Sequence, residues 1–420
     1  MANRFTILPH NWIKSVSMET RWFTVINASA ETLTEERRAN WENPKRVLNV
    51  ELTATSQEEI HRLFMLMARN LHQDWTYVPI YQDSVRTTAA SSLLTINCPT
   101  DNRRFHVGHV VVIYALDDNG RPGSMDFGVI QAVNPTNLVL SATLVGADFV
   151  GTALNTTFPV GSVVAPIFEA RMSLEGGQQA LTDEIGVWSA TFSEKDSDKL
   201  PPFGDWSTID GYFFVTGNAV GGAAYYLFDV PQNWEKSVDI GAQRSGNDVQ
   251  LGRSSLTIPR GPQPRFTFKF SCEEPTREDA MRVLRFFDAH KGMLIPFFVA
   301  NPYTFFDVQN IGVGFIEAEL RGDSDDMAQF VQFVYLEMED GTVYVRQCTS
   351  VTQPDADTLR LVLDENLPGG LLAQDVARCT LAHLCRFSND AMREEWFSDE
   401  YSSFSIEVQE VLNEQEVTVA

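Results

Sequence analysis

Two groups of side chains in this 420-residue sequence have spacings that could bind a metal ion. His106 and His109 would share one face of a helix, but Gly108 and the strand-like residues that follow predict a loop instead. The run Asp323–Asp326 is dense in carboxylate oxygens, yet it lacks the glycine and the distal glutamate of a calcium-binding EF-hand loop. We therefore expect exposed loop histidines, a solvated acidic loop and no metal site.

Sequence motifs of known catalytic mechanism are absent from the chain. No GxSxG, GxxxxGK[ST], HExxH or GxGxxG pattern occurs, and the glycine-rich stretch 217–222 is typical of a turn, not of a phosphate-binding loop. With 56 acidic residues, some carboxylates must pair by chance, so a glycosidase pair cannot be selected. The sequence predicts no enzyme, no catalytic or cofactor-binding residues and no cofactor.

Composition excludes several further classes of protein. The chain has 32 Lys and Arg against 56 Asp and Glu, a net charge of −24, which argues against wrapping nucleic acid. A hydrophobic content of 44% is typical of a folded protein, and no apolar run approaches the roughly 20 residues of a membrane span. Without a signal-peptide core, synthesis in the cytosol is expected. The five cysteines have no CxxC spacing, which disfavours a disulfide framework or a zinc ribbon.

Three pairs of segments recur in the same order along the chain. Residues 9–16 (PHNWIKSV) and 231–238 (PQNWEKSV) are identical at six of eight positions, 222 residues apart. Residues 58 and 278 begin similar helical segments, 220 apart, and residues 183 and 399 begin similar strand segments, 216 apart. The prolines Pro79 and Pro296, both with apolar and aromatic neighbours, also align. Drifting separations predict a duplication with small insertions.

Each half is predicted to contain strands, one helix, an inserted β-module and a return strand. Alternation at Val47 and Asn49, and at Phe266, Phe268 and Phe270, predicts strands with one buried face. The segments 56–70 and 276–290 predict helices, with Thr55 or Ser56 and Thr276 as N-caps. The apolar stripes expected to face the core are Ile60, Leu63, Phe64 and Met67 in the first helix, and Ala280, Val283, Leu284 and Phe287 in the second.

The β-rich runs between helix and return strand predict a small antiparallel barrel in each half. They include 105–114, 128–133, 137–140 and 158–164 in the first half, and 333–336, 343–345 and 359–363 in the second. The predicted fold is mainly β with α+β elements, in two tandem β-sandwich domains that each carry one helix and an inserted barrel. The predicted boundaries are 1–89 with 171–195, the barrel 90–170, a connector 196–230, 231–305 with 386–412, the inserted β-module 306–385, and a tail 413–420.

Several of these segments resemble minor tail proteins of long-tailed bacteriophages. The resemblance is carried by scattered positions within 11–46, by FHVG at 105–108 and GSVVAP at 161–166 around the barrel, and by ARMS at 170–173, echoed by CRFS at 385–388. It implies domains related to the tail-tube protein, no enzymatic activity, and a virion protein of the tail tip that is assembled in the host cytoplasm. Its partners would be the tail-tube protein and the hub or other baseplate proteins.

A duplicated tail-tip protein is expected to form a ring. Three copies with two similar halves would give a pseudo-six-fold annulus, and six copies, each half making its own ring, are the alternative. DNA would pass through the lumen during genome ejection without specific binding, and a negative lumen would repel it. Two other functions remain open: a receptor- or carbohydrate-binding tail protein that uses exposed aromatics such as Tyr114 or Tyr344, and an acidic hydrolase.

Overall fold

The fold was analysed in a computed structural model of the chain. The structure describes residues 16–28, 35–54, 56–70, 76–116, 122–141, 154, 156–173, 178–180, 186–194, 214–215, 225–228, 238–243, 246–251, 254–259, 265–274, 276–320, 331–354, 358–398 and 400–411. The glycine-rich stretch 217–222, the acidic run 323–326, Thr55, and most of the predicted connector and of the 9–16 and 231–238 motifs lie outside the described residues.

The described chain is mainly β, as predicted. Its N-terminal part contains, in chain order, β1 (Val16–Arg21), β2 (Thr24–Ala28), β3 (Glu35–Ala39), β4 (Lys45–Ala54), α1 (Gln57–Asn70), β5 (Thr76–Pro79), β6 (Val85–Arg86), β7 (Thr95–Asn97), β8 (Val110–Leu116), β9 (Pro122–Asn134), β10 (Asn137–Leu140), β11 (Val163–Ser173), β12 (Gln178–Ala180) and β13 (Gly186–Glu194).

The C-terminal part continues with β14 (Phe214–Val215), β15 (Tyr225–Tyr226), β16 (Asp239–Gln243), β17 (Gly246–Leu251), β18 (Ser254–Pro259), β19 (Arg265–Glu274), α2 (Arg277–Ala289), β20 (Phe297–Ala300), β21 (Phe306–Gly312), β22 (Phe315–Leu320), β23 (Phe333–Met338), β24 (Val343–Thr352), β25 (Thr358–Leu363), β26 (Val376–Phe387), β27 (Ala391–Trp396) and β28 (Ser402–Glu410). Short 3-10 turns lie at Tyr81–Asp83 and Ala373–Asp375.

The N-terminal strands form an antiparallel sheet and a barrel. The N-terminal strand set pairs in the order β1–β4–β13–β11–β5. The N-terminal barrel pairs in the order β6–β11–β8–β9–β10–β7. The Thr88 N–H donates to the Asn97 carbonyl at 2.9 Å and joins the chain after β6 to β7. The long strand β11 belongs to both the sheet and the barrel.

The C-terminal strands pair in the same order. The C-terminal strand set runs β16–β19–β28–β26–β20. The C-terminal barrel, a closed circuit of six strands, runs β21–β26–β23–β24–β25–β22 and back to β21. Here β26 is the strand shared by sheet and barrel. The predicted strands 333–336, 343–345 and 359–363 are thereby confirmed as β23, β24 and β25.

One strand pair joins the two strand sets within the chain. The strand β27 pairs with β28 on one edge and with β1 on its other edge. In this antiparallel ladder Val16 lies opposite Trp396, Ser17 opposite Glu395, and Met18 opposite Glu394. The sheet therefore continues from the C-terminal strand set into the N-terminal strand set.

Both predicted helices are present, but their apolar stripes differ in burial. In α2, all four predicted core residues are buried, and the Thr276 hydroxyl accepts from the Asp279 N–H at 3.2 Å, which confirms the predicted N-cap. In α1, Ile60 packs against the core, whereas Phe64 is 53% exposed, so the prediction that Phe64 faces the core is wrong. The side chains of Leu63 and Met67 lie outside the described residues.

The predicted one-sided burial of the strands holds for β19 but not for β4. Phe268 and Phe270 lie in the core with α2, and Phe266 packs at its margin. In β4, by contrast, the consecutive residues Val47 and Leu48 are both buried, at 4% and 0% exposure. Consecutive strand residues point to opposite faces of a sheet, so both faces of β4 are covered at Val47 and Leu48.

A buried carboxyl at the end of β19 predicts a pH-dependent stability. Glu274 is 2% exposed, and burial, reinforced by Asp279, raises the pKa of its carboxyl to about 7. The folded chain therefore binds more protons than the unfolded chain between about pH 4.3 and 7. The contribution of protonated Glu274 to the free energy of unfolding is fully present below the unfolded pKa, and it is lost as the pH rises through about 7.

Replacing Glu274 by glutamine should remove this slope. We expect the free energy of unfolding of Glu274→Gln, relative to the parent chain, to rise by about 3–4 kcal/mol between pH 4 and pH 8. Urea unfolding at a series of pH values measures it. Glu274→Asp keeps a carboxyl and should keep the slope, while parallel curves for the parent and Glu274→Gln would contradict the assignment.

Candidate functional site

Among the described residues, a group of buried charges lies where the N-terminal strand set meets the C-terminal strand set. Four side chains form this junction cluster, which we define as Asp83, Arg104, Arg277 and Glu394. Asp83 ends the turn after β5, and Arg104 lies in the loop between β7 and β8. Arg277 is the first residue of α2, and Glu394 lies in β27. Segments up to 290 residues apart thus converge on one site.

The junction cluster is balanced in charge and closely bonded. Asp83 Oδ2 accepts from Arg104 Nη1 at 3.0 Å, and Asp83 Oδ1 accepts from Arg277 Nη2. The second Nη of Arg104 donates to Glu394 Oε1 at 2.5 Å. Exposure is 0% for both carboxylates, 3% for Arg104 and 8% for Arg277. Two guanidinium groups and two carboxylates therefore neutralise each other away from water.

An aromatic ring and backbone carbonyls complete the cluster. Trp396 is fully buried, its Nε1–H donates to Glu394 Oε2 at 2.8 Å, and the Arg277 guanidinium lies 4.7 Å from its ring centroid. Arg277 also donates to the carbonyls of Asn102 at 2.8 Å and Gln82 at 2.6 Å. These two carbonyls and the Asp83 carboxylate together fix the orientation of the Arg277 guanidinium, as is typical of a structural ion pair.

A second bonded contact across the same junction is centred on Asp390, in the loop between β26 and β27. Its Oδ1 accepts from the Thr24 hydroxyl at 2.9 Å and from the Met293 N–H at 3.0 Å, and its carbonyl accepts from the Trp22 N–H at 2.7 Å. Gly292 lies close by at φ +62°, and a Cβ there would come within 2.6 Å of Asp390 Oδ1. The loop between α2 and β20 therefore requires glycine at this position.

The two histidines considered from the sequence lie in the loop before β8, but they are not exposed. His106 and His109 are both partly buried, with ring centroids 5.5 Å apart, so the expectation of exposed histidines is wrong. Burial, with the nearby positive charges of Arg46 and Arg104, lowers the pKa of His106 to about 3. The ring of His106 is thus neutral at neutral pH. Within the part of the chain that the structure describes, no three His, Cys, Asp or Glu side chains are grouped to hold a metal ion.

The aromatic residues considered for sugar binding are poorly placed for it. Tyr114 is 4% exposed, and burial raises the pKa of its hydroxyl to about 12, so its proposed role as an exposed contact is wrong. Tyr344 is partly buried, with the Arg346 guanidinium 5.8 Å from its ring centroid. The buried ring of Tyr114 has no open face on which a sugar could stack.

The five cysteines are free thiols, and none has the environment of a nucleophile. Cys98, Cys272, Cys379 and Cys385 are buried, and Cys348 is partly buried. Burial raises the pKa of the Cys98 and Cys379 thiols to about 12 and that of Cys348 to about 11. Each thiol is therefore protonated at neutral pH, the opposite of the thiolate character that reactive cysteines have.

The junction cluster could not be found from sequence spacing, because its members are distant in the chain and none belongs to a motif. Its geometry is that of a contact between strand sets. No helix in the described ranges combines the length and apolar character that crossing a membrane would need. Comparison of the sequence with protein-family models and with curated proteins finds no match.

Proposed function

We propose that the chain is a structural protein of the tail tip of a long-tailed bacteriophage. In this role it forms a ring that continues the tail tube, connects it to the hub or baseplate, and leaves a channel for DNA. The single observation that carries the proposal is the repeated strand order. The five-strand order β1–β4–β13–β11–β5 recurs as β16–β19–β28–β26–β20, and a six-strand barrel interrupts both at the same place.

The repeated strand order supports an internal duplication into two tail-tube-like domains. The ladders place Ser17 opposite Asn49, and Asp239 opposite Lys269, so equivalent residues on these strands are 222 and 220 positions apart. The same values separate the repeated sequence segments. The last strand, β13 or β28, is equivalent at a separation of 216, again as in the sequence.

One hydrogen bond occurs at equivalent positions in both strand sets. The Arg46 N–H donates to Glu194 Oε2 at 2.8 Å, and the Phe266 N–H donates to Glu410 Oε2 at 3.0 Å. Positions 46 and 266 are 220 apart, and positions 194 and 410 are 216 apart. A shared fold alone does not require the same side chain to accept the same backbone N–H. This bond therefore favours descent from one ancestral module.

A ring of three copies follows from the two similar strand sets. Closed rings need head-to-tail contacts whose rotation returns to the start, and a chain with two similar domains contributes two such contacts. Three copies would then place six similar domains around one axis, and would match a six-fold tube on one side to a three-fold hub on the other. Six copies, with each domain forming its own ring, are the alternative.

The acidic balance of the chain suits a channel that DNA must leave freely. A net charge of −24 repels phosphate groups if carboxylates line the lumen, so that DNA slides without binding. An excess of acid on the outer surface would serve solubility alone. Replacing lumen acids by lysine in the virion should slow DNA ejection, and an unchanged ejection rate would argue against this part of the proposal.

Mass measurement and electron microscopy of the purified chain test the assembly. We expect particles of three times the 47.1 kDa chain mass, with a central opening. A particle of six chains would keep the ring and replace the three-copy arrangement. A chain that stays monomeric at every concentration, with no annular particles, would overturn the proposed function.

A further inference from the structure

Among the described residues, the edge pairing inside the chain has no counterpart at the outer edges of the two strand sets. Within the chain, β27 pairs with β1, and Ser17 lies opposite Glu395. The strand equivalent to β27 is β12, because β12 pairs with β13 as β27 pairs with β28. The strand equivalent to β1 is β16, because β16 pairs with β19 as β1 pairs with β4.

The two counterpart strands each have one free edge in the described part of the chain. There the ladder of β12 is with β13, and the ladder of β16 is with β19. The ladders run in the order β12–β13–β4–β1–β27–β28–β19–β16. The strands β12 and β16 therefore lie at the two ends of this order, away from the pair β1 and β27. An edge strand with unpaired N–H and C=O groups is a template for pairing with another chain.

The equivalent registers fix which residues would meet. Gln179 corresponds to Glu395, since they lie opposite Val187 and Ser403, which are equivalent at a separation of 216. Asp239 corresponds to Ser17, at a separation of 222. If the internal pairing is repeated between copies, Gln179 of one copy lies opposite Asp239 of the next. Ala180 then lies opposite Val238, and Gln178 opposite Ile240.

The helices α1 and α2 differ in the exposure of equivalent residues. Phe64 on α1 is 53% exposed, whereas its equivalent Leu284 on α2, 220 positions later, is 3% exposed. Met65 is 40% exposed, and its equivalent Arg285 donates to Asn102 Oδ1 at 2.9 Å across the internal junction. Phe64 and Met65 thus form an exposed apolar patch on α1, at positions where α2 has a core residue and an arginine bonded across the internal junction.

The charges of the junction cluster change together between the two sites. Glu394 corresponds to Gln178, and Arg277 corresponds to Gln57. The sequence thus has glutamine at the positions equivalent to one carboxylate and one guanidinium of the internal junction. One negative and one positive charge are thus absent together from the equivalent positions.

We propose that β12 of one copy pairs antiparallel with β16 of a second copy, in the register Gln179 opposite Asp239, and that α1 is covered in the same contact. This inference rests on the proposed function, since it names the strands that close the ring. The partner is a second copy of this chain because the contact repeats one that the chain already makes with itself.

Engineered disulfides test the pairing. Residues directly opposite in an antiparallel pair have Cα atoms about 4.5–5.5 Å apart, within the range that a disulfide spans. We would introduce Gln179→Cys with Asp239→Cys, and separately Ala180→Cys with Val238→Cys, in a Cys348→Ser background. Mild oxidation should yield linked dimers and closed trimers on non-reducing denaturing gels, reversed by reductant.

Two controls define the register. Gln179→Cys with Ile240→Cys is slipped by one residue, which places the two side chains on opposite faces, and should give at least tenfold less linked product. Ser17→Cys with Glu395→Cys should link within one chain, because this pair is in register in the structure. Linked species in the slipped pair equal to those of the in-register pairs would overturn the register.

The remaining outcomes separate this inference from the proposed function. The mass of the parent chain is measured alongside. Rings of the parent chain without linked product from either in-register pair overturn the β12–β16 pairing and leave the ring intact. A link formed inside a single chain overturns the contact between copies. A parent chain that is always monomeric overturns both proposals.

Discussion

Replacing Asp83 by alanine is expected to lower the free energy of unfolding by about 3–5 kcal/mol. The Asp83 carboxylate is fully buried and accepts from two guanidinium groups, those of Arg104 and Arg277. Without it, one positive charge in the junction cluster has no counter-charge and no water to replace it. Urea unfolding followed by tryptophan fluorescence measures the loss.

A solvent-exposed ion pair provides the matched control for Asp83. Lys269 Nζ lies 3.0 Å from Glu407 Oε2 on the surface, with the two side chains 56% and 35% exposed. Glu407→Ala should cost less than about 1 kcal/mol, because solvent screens such pairs. Asp83→Asn keeps the shape of the side chain and tests the charge alone. A loss for Asp83→Ala no larger than that for Glu407→Ala would contradict the buried cluster.

Replacing Trp396 by alanine should be of similar severity, about 3–5 kcal/mol. Trp396 is the largest fully buried side chain of the described core, and it packs beneath Arg277. Its removal leaves a cavity, ends the cation–π contact and removes the N–H donor to Glu394. The midpoint of urea unfolding reports the total.

The phenylalanine variant separates packing from hydrogen bonding at this position. Trp396→Phe keeps an aromatic ring under Arg277 but leaves Glu394 Oε2 without its indole donor at 2.8 Å. We expect a loss smaller than that of Trp396→Ala, with about 1–3 kcal/mol arising from the unsatisfied carboxylate oxygen. Equal losses in the two variants would mean that the ring contributes little and the hydrogen bond dominates.

The local elements were predictable because their signals are local. The helix α2 combines an N-cap at Thr276 with an apolar stripe whose members are three and four residues apart, and the structure confirms both. The barrel strands were predicted from alternating residues separated by turn residues, but the runs 105–114 and 158–164 were begun too early, since β8 starts at Val110 and β11 at Val163. Neither prediction depends on which other elements of the fold pack against the helix or the strand.

The failures arose where burial depends on a distant surface. Phe64 has the same helical position as Leu284, and the sequence gives both the same amphipathic pattern, yet only Leu284 is covered in the chain. The prolines that follow the two helices, Pro79 and Pro296, lie at different places relative to their strands. Pro79 lies inside β5 opposite Ile167, whereas Pro296 precedes β20. When the two strand sets are compared by their ladder registers, the residue equivalent to Pro79 is Ala300. Register is set by neighbouring strands, which residue types alone do not reveal.

The junction cluster was missed for a related reason. Asp83, Arg104, Arg277 and Glu394 belong to four different segments, and each is an ordinary charged residue in its local context. Only tertiary packing makes them a group, since a buried charge is tolerated when an opposite charge is placed beside it. Composition gives the excess of acid but cannot distinguish the few carboxylates that are buried from the many that are not.

The shared strands β11 and β26 have a mechanical consequence. In β11, residues 163–166 pair inside the barrel and residues 167–173 pair inside the sheet, along one unbroken backbone of about 36 Å. No loop separates the barrel part of β11 from its sheet part. A torque applied to the barrel is therefore transmitted through the strand to the sheet. A force applied to either barrel would therefore act directly on the strand set that shares its strand, β11 or β26.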